Sequence, residues 1–520
     1  MKRLSSPQGR GLTRRRLVQL GLGGIAMAAL GARHAGGAAA GRKRPNILLL
    51  MADQHRADCI GADGNRAIRT PNLDRIAAQG VRFRCAYTST PSCTPARAGL
   101  LTGLSPWHHG MLGCGRVAER YSSEMPRMLR EAGYHTLGIG KMHYSPQRNL
   151  HGFHETILDE SGRVESPGFV SDYRQWFRRE APDLDPDATG IGWNAYEAKP
   201  YALPERLHPT VWTGDRAVEF LRGYDREDPW FLKVSFARPH SPYDPPERLF
   251  KIYENADIPK ASVGAWAERY AQRGASLPPD TWRGDLGEAQ VRRSRQGYYG
   301  SVTFVDEQIG RILEVLEERG GLEQTLILYT ADHGDMTGDH HLWRKTYAYE
   351  ASARIPMLAR WPGEFLSAER GRALAQPVEL RDVLPTFLDA AGAAADEKRF
   401  DGRSLLDLVR GKTAGWRPWI DLEHDVCYSP ENHWNALTDG RFKYIYHAFD
   451  GRQQLFDLAS DPGEVRDLAD DPAHAAALRQ WRGRMVAHLS ERGPPFVVGG
   501  DLAPRPQRML YSPNYPGKAK

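Results

Sequence analysis

Cysteine is scarce in this chain. Five in 520 residues are too few for a disulfide-stapled scaffold. The odd number leaves at least one of Cys59, Cys85, Cys93, Cys114 and Cys427 outside any intramolecular pair. A Cys85–Cys114 or a Cys59–Cys85 bridge is open, and either would be structural. Net charge is also nearly absent from the body of the chain. Residues 1–40 hold seven Lys and Arg and no acid, so setting them aside takes the formal charge from +6 to −1. A near-neutral protein has no general field for polyanions, so nucleic acid is excluded as a partner and any basic site must be local. Past residue 40 no apolar run approaches the ~20 residues a helix needs to span a bilayer. No internal repeat is present, which excludes a solenoid.

The leader has its own pattern. "TRRRLV" (Thr13–Val18) precedes an apolar run of 14 residues, "LVQLGLGGIAMAAL", and then "AAA" at Ala38–Ala40. A basic region, an apolar region and a small-residue cleavage site, in that order, predict a cleavable export signal over residues 1–40. The adjacent arginines before the apolar run resemble a twin-arginine signal. A membrane-anchor reading fails on length. The mature protein is therefore expected to be exported, periplasmic or secreted, with no stable membrane span after cleavage.

What remains is an ordinary globular composition, 41% hydrophobic and 10% aromatic, with room for a large core. From Pro45 onward short β-rich runs alternate with helical patterns. "NILLLMA" (46–52), "HTLGIG" (135–140), "WFLKVSFA" (230–237) and "TLILYTA" (325–331) read as strands buried on both faces. Helices are predicted over 70–80, 124–133, 215–224 and 302–320, the last with Val302, Val305, Ile309, Ile312, Leu313 and Leu316 at helical spacing. The fold class is α/β: a large, mostly parallel sheet flanked by helices over 45–415, with a smaller C-terminal α+β subdomain over 416–495. That subdomain should hold a hairpin turning at Asp439-Gly440 and a helix from about Pro472 to Arg492. Residues 145–215, rich in Pro, Gly, Asp and aromatics, read as long loops over the catalytic face. Residues 496–520 read as a tail.

In an open parallel sheet, ligands bind past the carboxyl ends of the strands. The four strands run into Asp53-Gln54-His55, into Lys141 and His143, into Arg238-Pro239-His240, and into Asp332-His333. One polar site on one face of the sheet follows. "TPSCTPARAGLLTG" (90–103) adds a helix with Cys93 at its N-terminus, Thr94 as cap, Pro95 in the first turn and Arg97 a turn later. Such a position favours an anion or a low-pKa thiol.

"CTPARAGLLTG" resembles the Cys-x-Pro-x-Arg signature of the type I, formylglycine-dependent sulfatases of the alkaline phosphatase superfamily. "PNILLLMADQHR", "GIGKMH", "PHSPYDPP", "ADHGDMTGDHHLWRKTYAYE" and "QQLFDLASDP" resemble that family's other segments in its order, from Pro45 to Arg492. The resemblance implies an alkaline phosphatase-like fold, conversion of Cys93 to formylglycine by a cytoplasmic formylglycine-generating enzyme, and one bound divalent cation. It implies hydrolysis of sulfate monoesters, with a sulfated saccharide as the expected substrate. A hydrated aldehyde offers two hydroxyls on one carbon: one attacks sulfur and the other later expels sulfate. By position, Asp53, Gln54, Asp332 and His333 resemble the metal ligands, with modified Cys93 completing the shell. Arg97 and Lys141 would steady the formylglycine oxygens and His143 would be the base for sulfate release. Lys345 and His240 would bind sulfate, with His240 as general acid.

Gln54 stands where many relatives carry Asp, and His333 where they carry Asn. Asp-Gln with Asp-His also resembles the phosphonate monoester and phosphodiester hydrolases of the superfamily, which is the alternative activity. Ala96 and Met142 replace a common Ser and Trp. Oxygen ligands favour Ca²⁺, while the histidine leaves Mn²⁺ or Mg²⁺ open. A catalytically silent binder of sulfated glycans would have lost Cys93, Arg97 or a metal ligand, and none is lost. Asp335, Asp339, His340 and His341 are expected to order the loop leading to Lys345. His424, Asn432, His433 and Trp434 are either a substrate subsite or interdomain packing.

Overall fold

The structure, a computed structural model, describes residues 44–517 apart from 275 and 394–396. The expected leader lies outside the described residues. The sheet is built on strand β1 (Asn46–Asp53), whose apolar run divides between two cores as the period of two requires. Ile47, Leu49 and Met51 join one cluster; Leu48, Leu50 and Ala52 join the other. Each large apolar side chain buried this way contributes about 1.5–3 kcal/mol.

Seven more strands complete the sheet: β2 (Val81–Phe83), β3 (His135–Gly140), β4 (Glu155–Leu158), β5 (Trp230–Pro239), β6 (Thr325–Ala331), β7 (Met357–Arg360) and β8 (Arg372–Leu374). Their order is β4-β3-β5-β1-β6-β7-β2-β8, with every pairing parallel except those of β7. The expected α/β fold with a mostly parallel sheet is therefore present, and the four predicted strands are its adjacent β3, β5, β1 and β6. Helix Glu288–Glu318 covers one face, with Val305, Ile309, Ile312, Leu313 and Leu316 in the core of Leu48 and Leu50. It is 31 residues long, starting well before the predicted Val302 because residues 294–301 are also buried. Helices Pro71–Ala78, Met125–Glu131 and Pro209–Gly223 overlap the other three expectations.

Residues 145–215 are less irregular than predicted. They supply β4 at the sheet edge, helix Asp172–Glu180 and the first turns of Pro209–Gly223. The texture change near 416 is the start of a four-stranded antiparallel sheet of β9 (Ile420–His424), β10 (Trp434–Thr438), β11 (Phe442–His447) and β12 (Gln453–Asp457). The β10–β11 hairpin turns at Gly440, as expected. Helix Ala475–Leu489 packs Trp481, Met485 and Leu489 against Leu437, Tyr444 and Leu455. The tail wraps back: Leu112 N donates to Leu510 O at 3.0 Å and Ser512 N to Gly110 O at 2.8 Å.

All five cysteines are free thiols, and neither of the two bridges that the sequence left open is formed. Cys59 is packed beside Tyr298 and Tyr299, and Cys85 lies under the Gly440 turn.

Candidate active site

Strand register brings the polar groups together. Ala52 pairs with Ala331 across β1 and β6, so the next residues, Asp53 and Asp332, emerge side by side. On the other flank the β1–β5 register shifts between Ala52 and Asp53, and His240 N donates to Asp53 O at 3.0 Å. Past β3, Lys141 N donates to Ser235 O at 2.8 Å. This approach needs Gly140, which has φ +88 and where a Cβ would stand 2.1 Å from Ser235 O. Cys93 begins helix Cys93–Thr102, which is buried throughout and ends at Gly103 with φ 72. The cap position falls to Ser92, in extended backbone, and not to the expected Thr94, which is already helical.

Asp53, Cys93, Asp332 and His333 offer one ligand atom each, all within 4.8 Å of one another and all buried. Cys93 Sγ stands 3.2 Å from His333 Nε2 and 3.8 Å from Asp53 Oδ1. His333 Nε2 is 3.7 Å from Asp53 Oδ1 and 3.8 Å from Asp332 Oδ1. The other ring nitrogen, Nδ1, lies 2.9 Å from Gly334 O. A carbonyl can only accept, so Nδ1 carries a hydrogen and Nε2 faces the carboxylates, where it would offer its lone pair to a cation. Two carboxylates, an imidazole lone pair and the Cys93 position around one point fit a divalent cation.

The surroundings favour the ionised forms of Asp53 and Cys93 in spite of burial. For Asp53, burial acts to raise the pKa, but Lys141, His240, Arg97 and His333 outweigh it and hold the carboxyl well below its usual range. Burial and Asp53 disfavour a Cys93 thiolate, yet Lys141, Lys345 and His333 bring its pKa below the usual value. The Lys141 ammonium forms a fully buried ion pair with Asp53 and lies 3.8 Å from Cys93 Sγ. Arg97 is directed elsewhere. Its Nε and Nη2 each stand 2.9 Å from Asp332 Oδ2, and Nη1 donates to Lys141 O at 2.5 Å and Ser235 Oγ at 3.1 Å. It holds Asp332 and the Lys141 turn.

Gln54, with φ 69, donates from its backbone to Asp332 Oδ1 at 3.0 Å. Its side-chain Nε2 donates to Asp335 Oδ2, which also accepts from Tyr243 OH at 2.5 Å. The amide is thereby oriented with Oε1 accepting from Lys345 Nζ at 2.8 Å. Lys345 also meets His240 Nε2 at 2.6 Å. His143 is not among the contacts of Cys93; its ring is met by Arg163 Nη1 at 2.7 Å and Glu165 Oε1 at 3.2 Å. Burial, followed by Arg163, Lys141 and Arg97, holds the His143 pKa well below its usual value, so the ring is neutral.

Asp339 does order the Lys345 loop, through Arg56 at 2.8 Å and Arg295 at 2.7 Å. His340 packs on Trp266. In the C-terminal subdomain, His424 Nε2 meets Ser92 Oγ at 3.0 Å. Asn432 Nδ2 donates to Thr346 Oγ1 at 2.7 Å and Trp434 Nε1 to Thr346 O at 2.9 Å. These three brace the segments that carry Cys93 and Lys345. His433, together with His424 and Trp434, also lines a cavity of about 320 Å³ beside Phe496, Arg505 and Met509.

Sequence reasoning missed Trp193, whose ring stacks on His240 at 4.2 Å between centroids. It missed Arg163, lying 4.7 Å over the same indole, and Asn194, 3.3 Å from Lys345 Nζ. It also missed Glu160, which accepts from Met142 N and His143 N at 2.8 Å. All come from the loops of 145–215, where the only signal was aromatic content without periodicity.

The family model described as sulfatase matches residues 45–393, and that of the C-terminal region of N-sulphoglucosamine sulphohydrolase matches 338–491. An arylsulfatase of Clostridium perfringens is 37% identical over 474 residues, covering 88% of this chain and 97% of the relative. An N-acetylglucosamine-6-O-sulfatase of Bacteroides thetaiotaomicron is 29% identical, covering 84% and 85%. The crystal structure of the phosphonate monoester hydrolase of Agrobacterium radiobacter is similar at TM-score 0.72 and 26% identity, over 89% of this chain and all of that one. Carboxylates and imidazole around a helix-terminal Cys-x-Pro-x-Arg, on this sheet and with these relatives, establish that the chain belongs to the sulfatase family of sulfate-ester hydrolases.

Proposed function

We propose that the protein is an exported sulfatase that hydrolyses sulfate monoesters on a sulfated saccharide, using a formylglycine derived from Cys93 and one divalent cation. The convergence of Asp53, Cys93, Asp332 and His333 within 4.8 Å carries this reading. Asp53, Asp332 and His333 would hold the cation, with the Gln54 carboxamide beside them; the carboxylate oxygens favour Ca²⁺, while the His333 nitrogen leaves Mn²⁺ or Mg²⁺ open. When present, the two groups would supply an ionised hydroxyl nucleophile and polarise the sulfate.

The chain's own residues do the rest. Lys141, paired with Asp53 and 3.8 Å from Cys93 Sγ, places positive charge where oxygen is to ionise. Arg97 keeps Asp332 in place. Lys345 and His240 bind the sulfate oxygens, and the proton they share goes to the leaving alcohol. His143, held neutral, would take the proton whose removal releases sulfate, in exchange for its contact with Arg163. The saccharide assignment is supported by the likeness to an N-acetylglucosamine-6-O-sulfatase and by the N-sulphoglucosamine sulphohydrolase C-terminal match. Export rests on the leader of residues 1–40.

The test is the mass of the Cys93 peptide from protein made in its own host. Conversion to formylglycine lowers it by about 18 Da, and an unmodified thiol in active protein would overturn the mechanism. Gln54, His333 and the likeness to a phosphonate monoester hydrolase support a second reading, a phosphonate monoester or phosphodiester hydrolase. Turnover of an aryl sulfate against a bis-aryl phosphate separates the two, and a preference of about a hundredfold for the diester, worth about 2.7 kcal/mol, would favour the second.

A further inference from the structure

The active site accounts for one cysteine, and two others are packed singly. Cys114 and Cys427 face each other. The segments that carry them run side by side: Asp425 N donates to Leu112 O at 2.7 Å. A Cβ on Gly113 would come within 3.2 Å of the Asp425 Cβ and 3.5 Å of His424. Cys427 N donates to Asn432 O at 3.3 Å, fixing the second strand of this contact. The two thiols lie within hydrogen-bonding reach of each other, and Cys114 also reaches Ser92. Cys114 is exposed and Cys427 half-buried, so a reagent in solution has access. Neither belongs to a group of three or more possible metal ligands among the described residues. A pair of sulfurs without further ligands suits a covalent bond better than a metal.

We propose that Cys114 and Cys427 close into a disulfide that staples the loop beside Ser92 to the C-terminal subdomain. Cys114, the more exposed of the two, is the attacking sulfur. The hydrogen bond from Cys427, with His424, Ser92 and Lys345 behind it, holds the Cys114 thiol well below its usual range, while the same contact pushes Cys427 up. The Cys114 thiolate attacks one sulfur of a small-molecule disulfide such as oxidised glutathione, forming a mixed disulfide and releasing one thiolate. Cys427 then gives its proton to solvent and attacks the Cys114 sulfur, releasing the second thiolate. Two protein thiols become one disulfide, and two electrons reduce the reagent to two thiols.

The staple has a consequence for the site. Ser92 precedes Cys93 and is bonded to His424, and Asn432 and Trp434 hold Thr346 next to Lys345. Tying Cys114 to Cys427 therefore locks both segments against the same subdomain. It also closes a very long loop, which restricts the unfolded chain most strongly.

Purified protein is equilibrated with excess oxidised over reduced glutathione, alkylated, and digested without reduction. The expected result is a cross-linked peptide pair containing Cys114 and Cys427, absent from Cys427→Ser. Reduction should lower the thermal midpoint by about 5 °C in the wild type and leave that of Cys427→Ser unchanged. Alkylated thiols at both positions, glutathione retained on Cys114, or a cross-link elsewhere would overturn the proposal. The wild-type map decides even if the variant fails to fold. A cross-link whose reduction leaves the midpoint unmoved would overturn its role as a staple.

Discussion

Lys345 Nζ stands 2.6 Å from His240 Nε2. His240 Nδ1 lies 2.9 Å from Ser241 O, so that nitrogen carries the ring hydrogen and Nε2 accepts. Burial, then Lys345, holds the His240 pKa well below its usual value. In the resting protein the proton between the two residues therefore belongs to Lys345. On the proposed mechanism the general acid would then be the pair, rather than His240 alone.

Lys345→Ala should lower kcat/KM by about 10²–10⁴ for an alkyl sulfate, whose leaving alkoxide needs the proton. The loss should be much smaller for 4-nitrophenyl sulfate, whose phenolate leaves unaided. Equal losses on both substrates would mean that Lys345 only binds sulfate.

Chelation should abolish activity, and a divalent cation should restore it. Because a cation binds the folded site and not the unfolded chain, adding it at a hundredfold excess over Kd should stabilise the protein by about 2.7 kcal/mol. Thermal melts with and without chelator measure this directly, and Asp332→Ala should show no such shift.

Asp335 acts through Gln54 and Tyr243, both of which donate to Oδ2. Asp335→Asn removes an acceptor that serves two donors and frees the Gln54 amide to rotate. The cation concentration for half-maximal activity should rise about 10–100-fold with little change in thermal midpoint. Tyr243→Phe, which removes one donor only, should have a smaller effect.

Trp434 is 2% exposed and bonds Thr346 through its indole N–H. Trp434→Ala should cost about 3–5 kcal/mol of stability and reduce turnover of an aryl sulfate and a saccharide sulfate by the same factor. A loss confined to the saccharide would make Trp434 a subsite.

His447 donates to Gln454 Oε1 at 2.8 Å and is held by burial at a pKa of about 3. Unfolded, it takes a proton near pH 6.5. Stability from this residue is therefore present above pH 6.5 and is lost as pH falls toward 3. The slope is about 1.4 kcal/mol per pH unit. His447→Gln should flatten the decline in unfolding free energy, measured by urea titration between pH 6.5 and 4.5, by that amount.

Much of this site was legible before any coordinates because strand ends are legible. Apolar runs such as "NILLLMA" and "TLILYTA" announce buried parallel strands, and ligands collect past their carboxyl ends. Asp53, Asp332, Lys141 and His240 could therefore be picked out singly. The cap of the Cys93 helix was misassigned by two residues, since Ser and Thr both suit that role and only backbone geometry distinguishes them. Arg163, Trp193 and Glu160 were not legible, because a loop residue leaves no periodic trace of what it will touch.

By itself the sequence determined the strand period, the order of the motifs and the chemical types gathered at one sheet edge. These depend on local spacing and on side-chain chemistry, which the chain carries wherever it folds. Tertiary structure alone decided which charges meet. It turned Arg97 toward Asp332 and set Lys345 against His240. It also left Cys85 alone and placed Cys114 beside Cys427. Those contacts join residues far apart in the chain. Their distances follow from sheet register and from the docking of the C-terminal subdomain, and neither is encoded in the spacing of the residues concerned.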